Sequence, residues 1–133
     1  MAHATASDDT SISYTDHGGS GSPVLLVHGI TESAASWDPI VERLAASNRV
    51  LTMDLRGHGA SGFADRYDLE AMASDVAAVV EAANIAGQVH LVGHSLGGAV
   101  VSAAGAALPV ASVVDVDQSL QLGAFKAQLG EIE

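Results

Sequence analysis

The chain has 133 residues, about the length of one ordinary domain, and a chain of this size buries roughly two thirds of its unfolded surface when it folds. With 16 acidic and 5 basic side chains its formal charge is -11, which would repel phosphate backbones and anionic lipid surfaces, so neither nucleic acid nor a membrane is expected as a partner. Cysteine is absent, which excludes disulfides and thiolate metal sites.

The beginning of the chain, MAHATASDDTS, has neither the basic nor the apolar segment of a secretion signal, so a cytoplasmic location is expected. The most apolar stretch, residues 99–114, is shorter than a bilayer span and contains Pro109, which favours a buried helix followed by a strand. No pair of histidines has the spacing of metal ligands, so no metal is expected.

The first half of the chain predicts three strands and one helix. Residues 12–15 predict a short edge strand, which ends at the turn-rich DHGGSGSP. The continuously apolar VLLVHG, residues 24–29, predicts a strand buried on both faces, and RVLTMDL, residues 49–55, predicts another. Between them a helix is predicted, with Ser36 as its N-cap and Pro39 in its first turn, from the helical spacing of Trp37, Ile40, Val41 and Leu44.

The second half predicts the same alternation. A helix of about four turns is expected from Leu69 onward, with Asp68 as its N-cap. Residues 88–94, QVHLVGH, predict a buried strand, and the small residues that follow predict a closely packed helix. A last strand is predicted at ASVVDVD, residues 111–117. Strands that alternate with helices predict an α/β fold whose mostly parallel sheet carries helices on both faces.

A serine between glycines stands where a strand is predicted to end and a helix to begin. Residues 93–97, GHSLG, match the pattern G-x-S-x-G, in which a sharp turn lifts the serine hydroxyl above the sheet. Glycine two residues to either side leaves room for the strand and the helix to approach each other. The motif and its position make Ser95 the candidate nucleophile.

The sequence resembles the α/β-hydrolase fold family, in particular its branch of esterases, cofactor-free haloperoxidases and C–C bond hydrolases that use a serine nucleophile. Four segments carry the resemblance, in the family's order and at about its spacing: VLLVHGI at 24–30, DLRGHGASG at 54–62, VGHSLGG at 92–98 and VASVVDVDQ at 110–118. The resemblance as a whole covers nearly the whole chain. The four segments are specific for the fold and much less specific for the substrate, because this scaffold hosts many chemistries.

The resemblance implies roles for individual residues. It implies that Ser95 forms an acyl-enzyme with a small-molecule ester or related acyl substrate, that the amides of Ile30 and Leu96 form the oxyanion hole, and that no cofactor takes part. It also implies that Asp54 and Arg56 organise loops.

The sequence leaves two interpretations for the acid that would complete a catalytic triad. Asp117 ends the last predicted strand, a position that carries the carboxylate in some members of the family, whereas in most members the acid follows one strand later. The other interpretation of Asp117 is structural, as an aspartate that ends a strand and begins a turn.

The base is missing from the expected place. The family's order is nucleophile, acid, histidine, but no histidine follows Ser95 in this sequence. His94 lies beside Ser95 on a sharp turn and is expected to point away from it, while His28 and His90 are expected to be structural, as are the remaining three, His3, His17 and His58. We therefore interpret residues 1–118 as the N-terminal part of a truncated α/β-hydrolase core, and residues 119–133 as the start of a cap, lid or following helix.

Two hypotheses of function follow. In the first, the chain belongs to an ester hydrolase that acts through Ser95. In the second, it is a non-catalytic half-scaffold that binds another polypeptide or has no function of its own. Self-association through the exposed edge of the sheet is expected as well. The second hypothesis is favoured for these residues alone, because the histidine is absent.

Overall fold

A computed structural model describes residues 1–116, so Asp117 and the predicted segment 119–133 lie outside the described residues. The described part consists of a six-stranded sheet with helices on both faces. Its elements, in chain order, are β1 (Ala2–Thr5), β2 (Ser11–Gly18), β3 (Pro23–Val27), a 3-10 turn (Ala34–Trp37), α1 (Asp38–Ala45), β4 (Arg49–Met53), α2 (Leu69–Ala82), β5 (Val89–His94), α3 (Leu96–Gly105) and β6 (Val110–Val116).

The sheet is mostly parallel, as predicted. Its strand order is β1-β2-β4-β3-β5-β6, in which β1 and β2 run antiparallel to their neighbours and the other four strands are parallel to one another. Because parallel strands end at the same edge, the segments that follow β3, β4 and β5 meet there. Ligands bind at this carboxyl edge in open α/β sheets.

The prediction of an edge strand at residues 12–15 is wrong in extent and in position. The strand is longer, and β1 pairs with its outer side in the register Ala2↔Tyr14 to Thr5↔Ser11. The sequence of β1, AHAT, carries no alternation of large apolar and polar residues. It is held by pairing with β2, and Ala4 is buried against the main core.

The strands β3 and β4 are buried on both faces, which confirms the expectation from their continuous apolar runs. One face packs against α2 and α3 through Leu25, Val27 and Leu51. The other face packs against α1 and Trp37 through Val24 and Val50. Apolar burial of this kind contributes about 25 cal/mol for each Å² removed from water, so these two layers hold the carboxyl edge in place.

Of the two predicted helix N-caps, one is confirmed and one is wrong. The α2 N-cap is confirmed, because the Asp68 side chain accepts a hydrogen bond from the Ala71 N–H at 2.8 Å. The prediction that Ser36 caps the next helix is wrong. The chain first makes a 3-10 turn whose N-cap is Ser33, and α1 begins at Asp38 with Pro39 in its first turn. Proline is tolerated there because its missing N–H would have no partner within the helix.

Candidate active site

Ser95 lies at the junction of β5 and α3 in a backbone conformation that residues with a side chain rarely adopt. Its φ is 55° and its ψ is −121°. Such strain persists only where the surroundings over-determine the conformation. Here the Ser95 N–H donates to the Val116 carbonyl at 2.9 Å, and the Ser95 carbonyl accepts from the Gly98 N–H at 2.8 Å. The turn leaves Ser95 half-buried at the carboxyl edge of the sheet.

The glycines of the motif are required by close approach of the backbone. A Cβ on Gly93 would overlap the carbonyl of Gly97, and a Cβ on Gly97 would overlap the carbonyl of Val27. Both obstacles are backbone atoms, which cannot rotate away. Strand and helix therefore meet at a separation that only glycine permits.

The turn that contains Ile30 packs beside Ser95. A Cβ on Gly29 would lie 3.0 Å from the Ser95 Cβ and 3.2 Å from the His94 carbonyl oxygen. The turn is closed by the Glu32 N–H, which donates to the Gly29 carbonyl at 3.2 Å. Leu96 is the first residue of α3, where backbone N–H groups have no partner within the helix and favour negative charge. The structure thus brings the loop of Ile30 close to Ser95 and to the helix start at Leu96, and the catalytic roles of Ile30 and Leu96 stay predictions.

His28 is a structural residue beneath this turn. Its Nε2 accepts a hydrogen bond from the Leu55 N–H at 3.0 Å, so the proton is on Nδ1, which donates to the Gly29 carbonyl at 2.6 Å. Burial lowers the pKa of His28, which keeps the imidazole neutral. Both ring nitrogens are occupied, so His28 is not available as a base.

Four of the other histidines bond to groups other than Ser95. His94 Nδ1 contacts Glu32 Oε1 at 2.9 Å, and His90 Nδ1 contacts the Ser112 hydroxyl at 2.7 Å. Within residues 1–116, His17 and His58 likewise bond to other groups, through Thr52 and the Arg56 carbonyl. These contacts agree with the expectation that these histidines are structural.

Glu32 is a residue of the site that sequence reasoning missed. Its Oε1 accepts hydrogen bonds from both the Gly29 N–H, at 3.1 Å, and His94. Burial opposes ionisation, but the hydrogen bond and charge of His94 hold the pKa of Glu32 below its ordinary value. A separation of 62 residues between Glu32 and His94 leaves no local signal for their contact.

Asp54 connects the loop that follows β3 with the loop that follows β4. Its Oδ1 accepts from the Ala34 N–H at 2.8 Å and its Oδ2 accepts from the Ala60 N–H at 3.0 Å. Arg56 forms two hydrogen bonds of 2.7 Å with Asp75 on α2, and both side chains are almost fully buried. These are the contacts of loop organisers, in line with the resemblance.

A cavity of about 260 Å³ opens next to this site, on the α1 face of the sheet. The side chains that line it are His28, Glu32, Ser36, Trp37, Ile40 and His94. Ser95 is not among them, although its neighbour His94 is. Within residues 1–116, no group of three or more histidine, aspartate or glutamate side chains is arranged to hold a metal ion. No helix in the described part of the chain is long and apolar enough to cross a membrane.

Comparison with known proteins is consistent with this geometry. Residues 24–132 match the model of the alpha/beta hydrolase family. The chain is 42% identical over 105 residues to a non-heme chloroperoxidase from Streptomyces lividans, a match that covers 77% of this chain and 38% of the relative. It is 41% identical to a bifunctional esterase/perhydrolase from Acinetobacter calcoaceticus over the same shares of the two chains.

Solved structures of esterases share the fold of this chain. An esterase from Rhodococcus sp. superimposes with a TM-score of 0.81 at 38% identity, over 88% of this chain and 45% of that structure. An esterase from Thermogutta terrifontis gives the same TM-score at 31% identity, over 89% of this chain and 45% of that structure. The chain thus spans less than half the length of each of these relatives. The match over residues 24–132 shows that the chain belongs to the α/β-hydrolase family.

Proposed function

We propose that this chain carries the nucleophile and oxyanion hole of a carboxylic-ester hydrolase, with Ser95 as the nucleophile. The observation that carries the proposal is the strained turn of Ser95 between β5 and α3, pressed against the Gly29 turn. No packing need explains a serine at φ 55°, since glycine would adopt this conformation without strain. A hydroxyl held there at the carboxyl edge suits attack on a bound substrate.

The proposed reaction uses protein groups alone. In the whole protein, the Ser95 oxygen attacks the acyl carbon while a general base takes the hydroxyl proton, and the amides of Ile30 and Leu96 donate to the oxyanion that forms. The bond to the alcohol then breaks as the base returns this proton to the leaving oxygen, and water activated by the same base hydrolyses the acyl-enzyme to the acid and frees Ser95. Each preorganised donor of such a hole lowers the barrier by about 3 kcal/mol, which makes this the largest contribution the chain offers.

The serine proton requires an acceptor. No histidine follows Ser95 in the sequence, and the imidazoles of residues 1–116 that lie near the turn are bound to other groups. We propose Asp117 as the carboxylate of the triad, on its position at the end of the last predicted strand. The imidazole that it would orient is not among residues 96–133, so we expect these 133 residues by themselves to bind acyl compounds without turning them over.

The substrate class follows from the relatives. Both structures and one of the two proteins named above are esterases, and ester hydrolysis needs only a nucleophile, a base and an oxyanion hole. A small-molecule ester or related acyl compound is therefore the proposed substrate of the whole protein.

A second candidate function is a half-scaffold that binds another polypeptide. Three valines of β6, at positions 113, 114 and 116, are exposed large apolar residues, and β6 has only one neighbouring strand within residues 1–116. A strand edge of this kind pairs with other chains unless it is protected.

The test of the nucleophile is an adduct with phenylboronic acid. Boron accepts the Ser95 oxygen without an enzymic base, because the serine proton is released to solvent at mildly alkaline pH, and the tetrahedral boronate resembles the intermediate of acyl transfer. We expect a saturable tetrahedral boron signal in NMR with the wild type and none with Ser95→Ala. Ser102→Ala is the matched control, since Ser102 lies on the same helix and bonds to the Gly98 carbonyl. An adduct that persists in Ser95→Ala would overturn the proposal.

A further inference from the structure

A single carboxylate oxygen links the two backbone segments that flank Ser95. Glu32 Oε1 accepts from the Gly29 N–H at 3.1 Å and from His94 Nδ1 at 2.9 Å. Gly29 directly precedes Ile30, and His94 directly precedes Ser95. The two bonds therefore connect the loop that follows β3 with the end of β5, next to the amides assigned to the oxyanion hole.

The loop needs such a restraint. Thr31 has a φ of 64°, and a β-branched residue in this left-handed region is strained. The Glu32 backbone N–H closes the turn from one side by donating to the Gly29 carbonyl, and the Glu32 carboxylate closes it from the other. Without the carboxylate, the Gly29 carbonyl would still accept hydrogen bonds from the Glu32 N–H and from His28, but the Gly29 N–H would lose its bond to Glu32 Oε1.

The three groups are contiguous with the nucleophile. A Cβ on Gly29 would lie 2.5 Å from Glu32 Oε1 and 3.0 Å from the Ser95 Cβ. A shift of the carboxylate is therefore transmitted to the turn beside Ser95 without an intervening side chain. The Glu32 and His94 side chains are each about one third exposed, so they belong to the rim of the site and not to a hydrophobic core.

We propose that Glu32 is a positioning residue which, by holding Gly29 and His94 together, sets the separation between the Ile30 amide and the Leu96 amide. It touches no reacting atom. The proposal rests on the oxyanion hole proposed above, and it adds the group that holds the two halves of that hole in register. Misplacement of such groups by about 1 Å costs on the order of a hundredfold in rate, so a restraint at this point has functional weight.

Two substitutions separate the hydrogen bonds from the bulk of the side chain. Glu32→Gln keeps an oxygen that accepts from both donors, and Glu32→Leu keeps a similar volume without an acceptor. We expect Glu32→Leu to weaken phenylboronic acid binding by about tenfold or more and Glu32→Gln to restore it to within about threefold of wild type. Glu42→Leu on the exposed side of α1 is the control for the loss of a charge.

A second readout does not depend on the function of Ser95. Hydrogen exchange of the Gly29 amide, followed by NMR, should be slow in the wild type and in Glu32→Gln, and faster in Glu32→Leu. Boronate binding by Glu32→Leu at the wild-type level would overturn the positioning role. An equal loss of boronate affinity in Glu32→Leu and Glu32→Gln would overturn it as well. If the wild type forms no adduct with Ser95, the proposed function fails. The exchange rates then test by themselves whether Glu32 restrains the Gly29 turn. Unchanged exchange of the Gly29 amide in Glu32→Leu would refute that restraint.

Discussion

At the scale of single residues, the site combines a strained serine with nearby histidines that bond to groups other than Ser95. His28 bonds through both ring nitrogens and would have to give up a partner to act as a base, whereas His94 bonds to Glu32 through Nδ1. A serine hydroxyl is a poor nucleophile until an imidazole takes its proton. The backbone geometry around Ser95 and the capacity for turnover are therefore separate properties.

This separation predicts that the purified polypeptide has no ester hydrolysis that depends on Ser95. In a serine protease, removal of the histidine alone lowers kcat by about six orders of magnitude. The rate enhancement that remains, from substrate binding and the oxyanion hole, is about 10³ to 10⁴ over the reaction in water. The measurement compares wild type and Ser95→Ala on short-chain activated esters, with a fluorophosphonate label as a second probe. Turnover well above background that vanishes in Ser95→Ala would show that an upstream histidine, or one from a second copy, acts as the base.

At the scale of elements, the loop after β4 is tied to α2 by a buried ion pair. Arg56 bonds to Asp75 through two nitrogens and also to the partly exposed Asp8, 2.9 Å away. The hydrogen bonds to Asp75 and then Asp8 hold the pKa of Arg56 above its ordinary value against the cost of burial. Arg56 is thus charged in the core, and its partners decide whether that charge is tolerated.

We expect Asp75→Asn to lower the free energy of unfolding by about 3 kcal/mol, because removal of one member of a buried pair leaves the other charge uncompensated. Urea unfolding followed by circular dichroism measures the change. Asp65→Asn, at an exposed position of the same loop region, is the control and should stay within about 0.5 kcal/mol of wild type. A loss in Asp75→Asn no larger than that of the control would mean that Asp8 and the Arg66 carbonyl suffice to hold Arg56.

At the scale of the whole molecule, stability should fall in acid. The hydrogen bonds from Thr10 and then Arg56 lower the pKa of Asp8 to about 2. Because this pKa is depressed in the folded state, the stabilisation is complete above about pH 4 and is lost as the pH falls toward about 2. Unfolding curves at a series of pH values should show a shallower loss over this window in Asp8→Asn than in wild type. Identical slopes would remove Asp8 as a source of the acid sensitivity.

The edge of the sheet predicts self-association of the polypeptide. The exposed valines of β6 lie on a strand with one neighbour in the described part of the chain, and unpaired strand edges recruit other chains. Light scattering should show species larger than a monomer, and Val114→Lys should reduce them. Phe63→Lys, which removes an apolar side chain that is 86% exposed on a distant loop, is the control. A monodisperse monomer in the wild type would contradict the prediction.

The sequence by itself determined the parallel part of the sheet, the helices on both of its faces and the position of Ser95. These features follow from local patterns: continuous apolar runs for strands covered on both faces, helical spacing for α1 and α2, and a glycine-flanked serine between a strand and a helix. Ile30 and Leu96 were named from the family resemblance, and their roles in the oxyanion hole stay predictions.

Only the tertiary structure decided which distant groups meet. β1 carries no strand pattern of its own and exists through its pairing with β2. Glu32 meets His94, and Arg56 meets Asp75, across separations of 62 and 19 residues. Such contacts depend on how whole helices and strands pack together. The periodicity of the sequence cannot predict that packing, because it reflects only the local structure. The local sequence thus placed Ser95 between a strand and a helix, whereas the folded sheet decided which distant side chains meet around it.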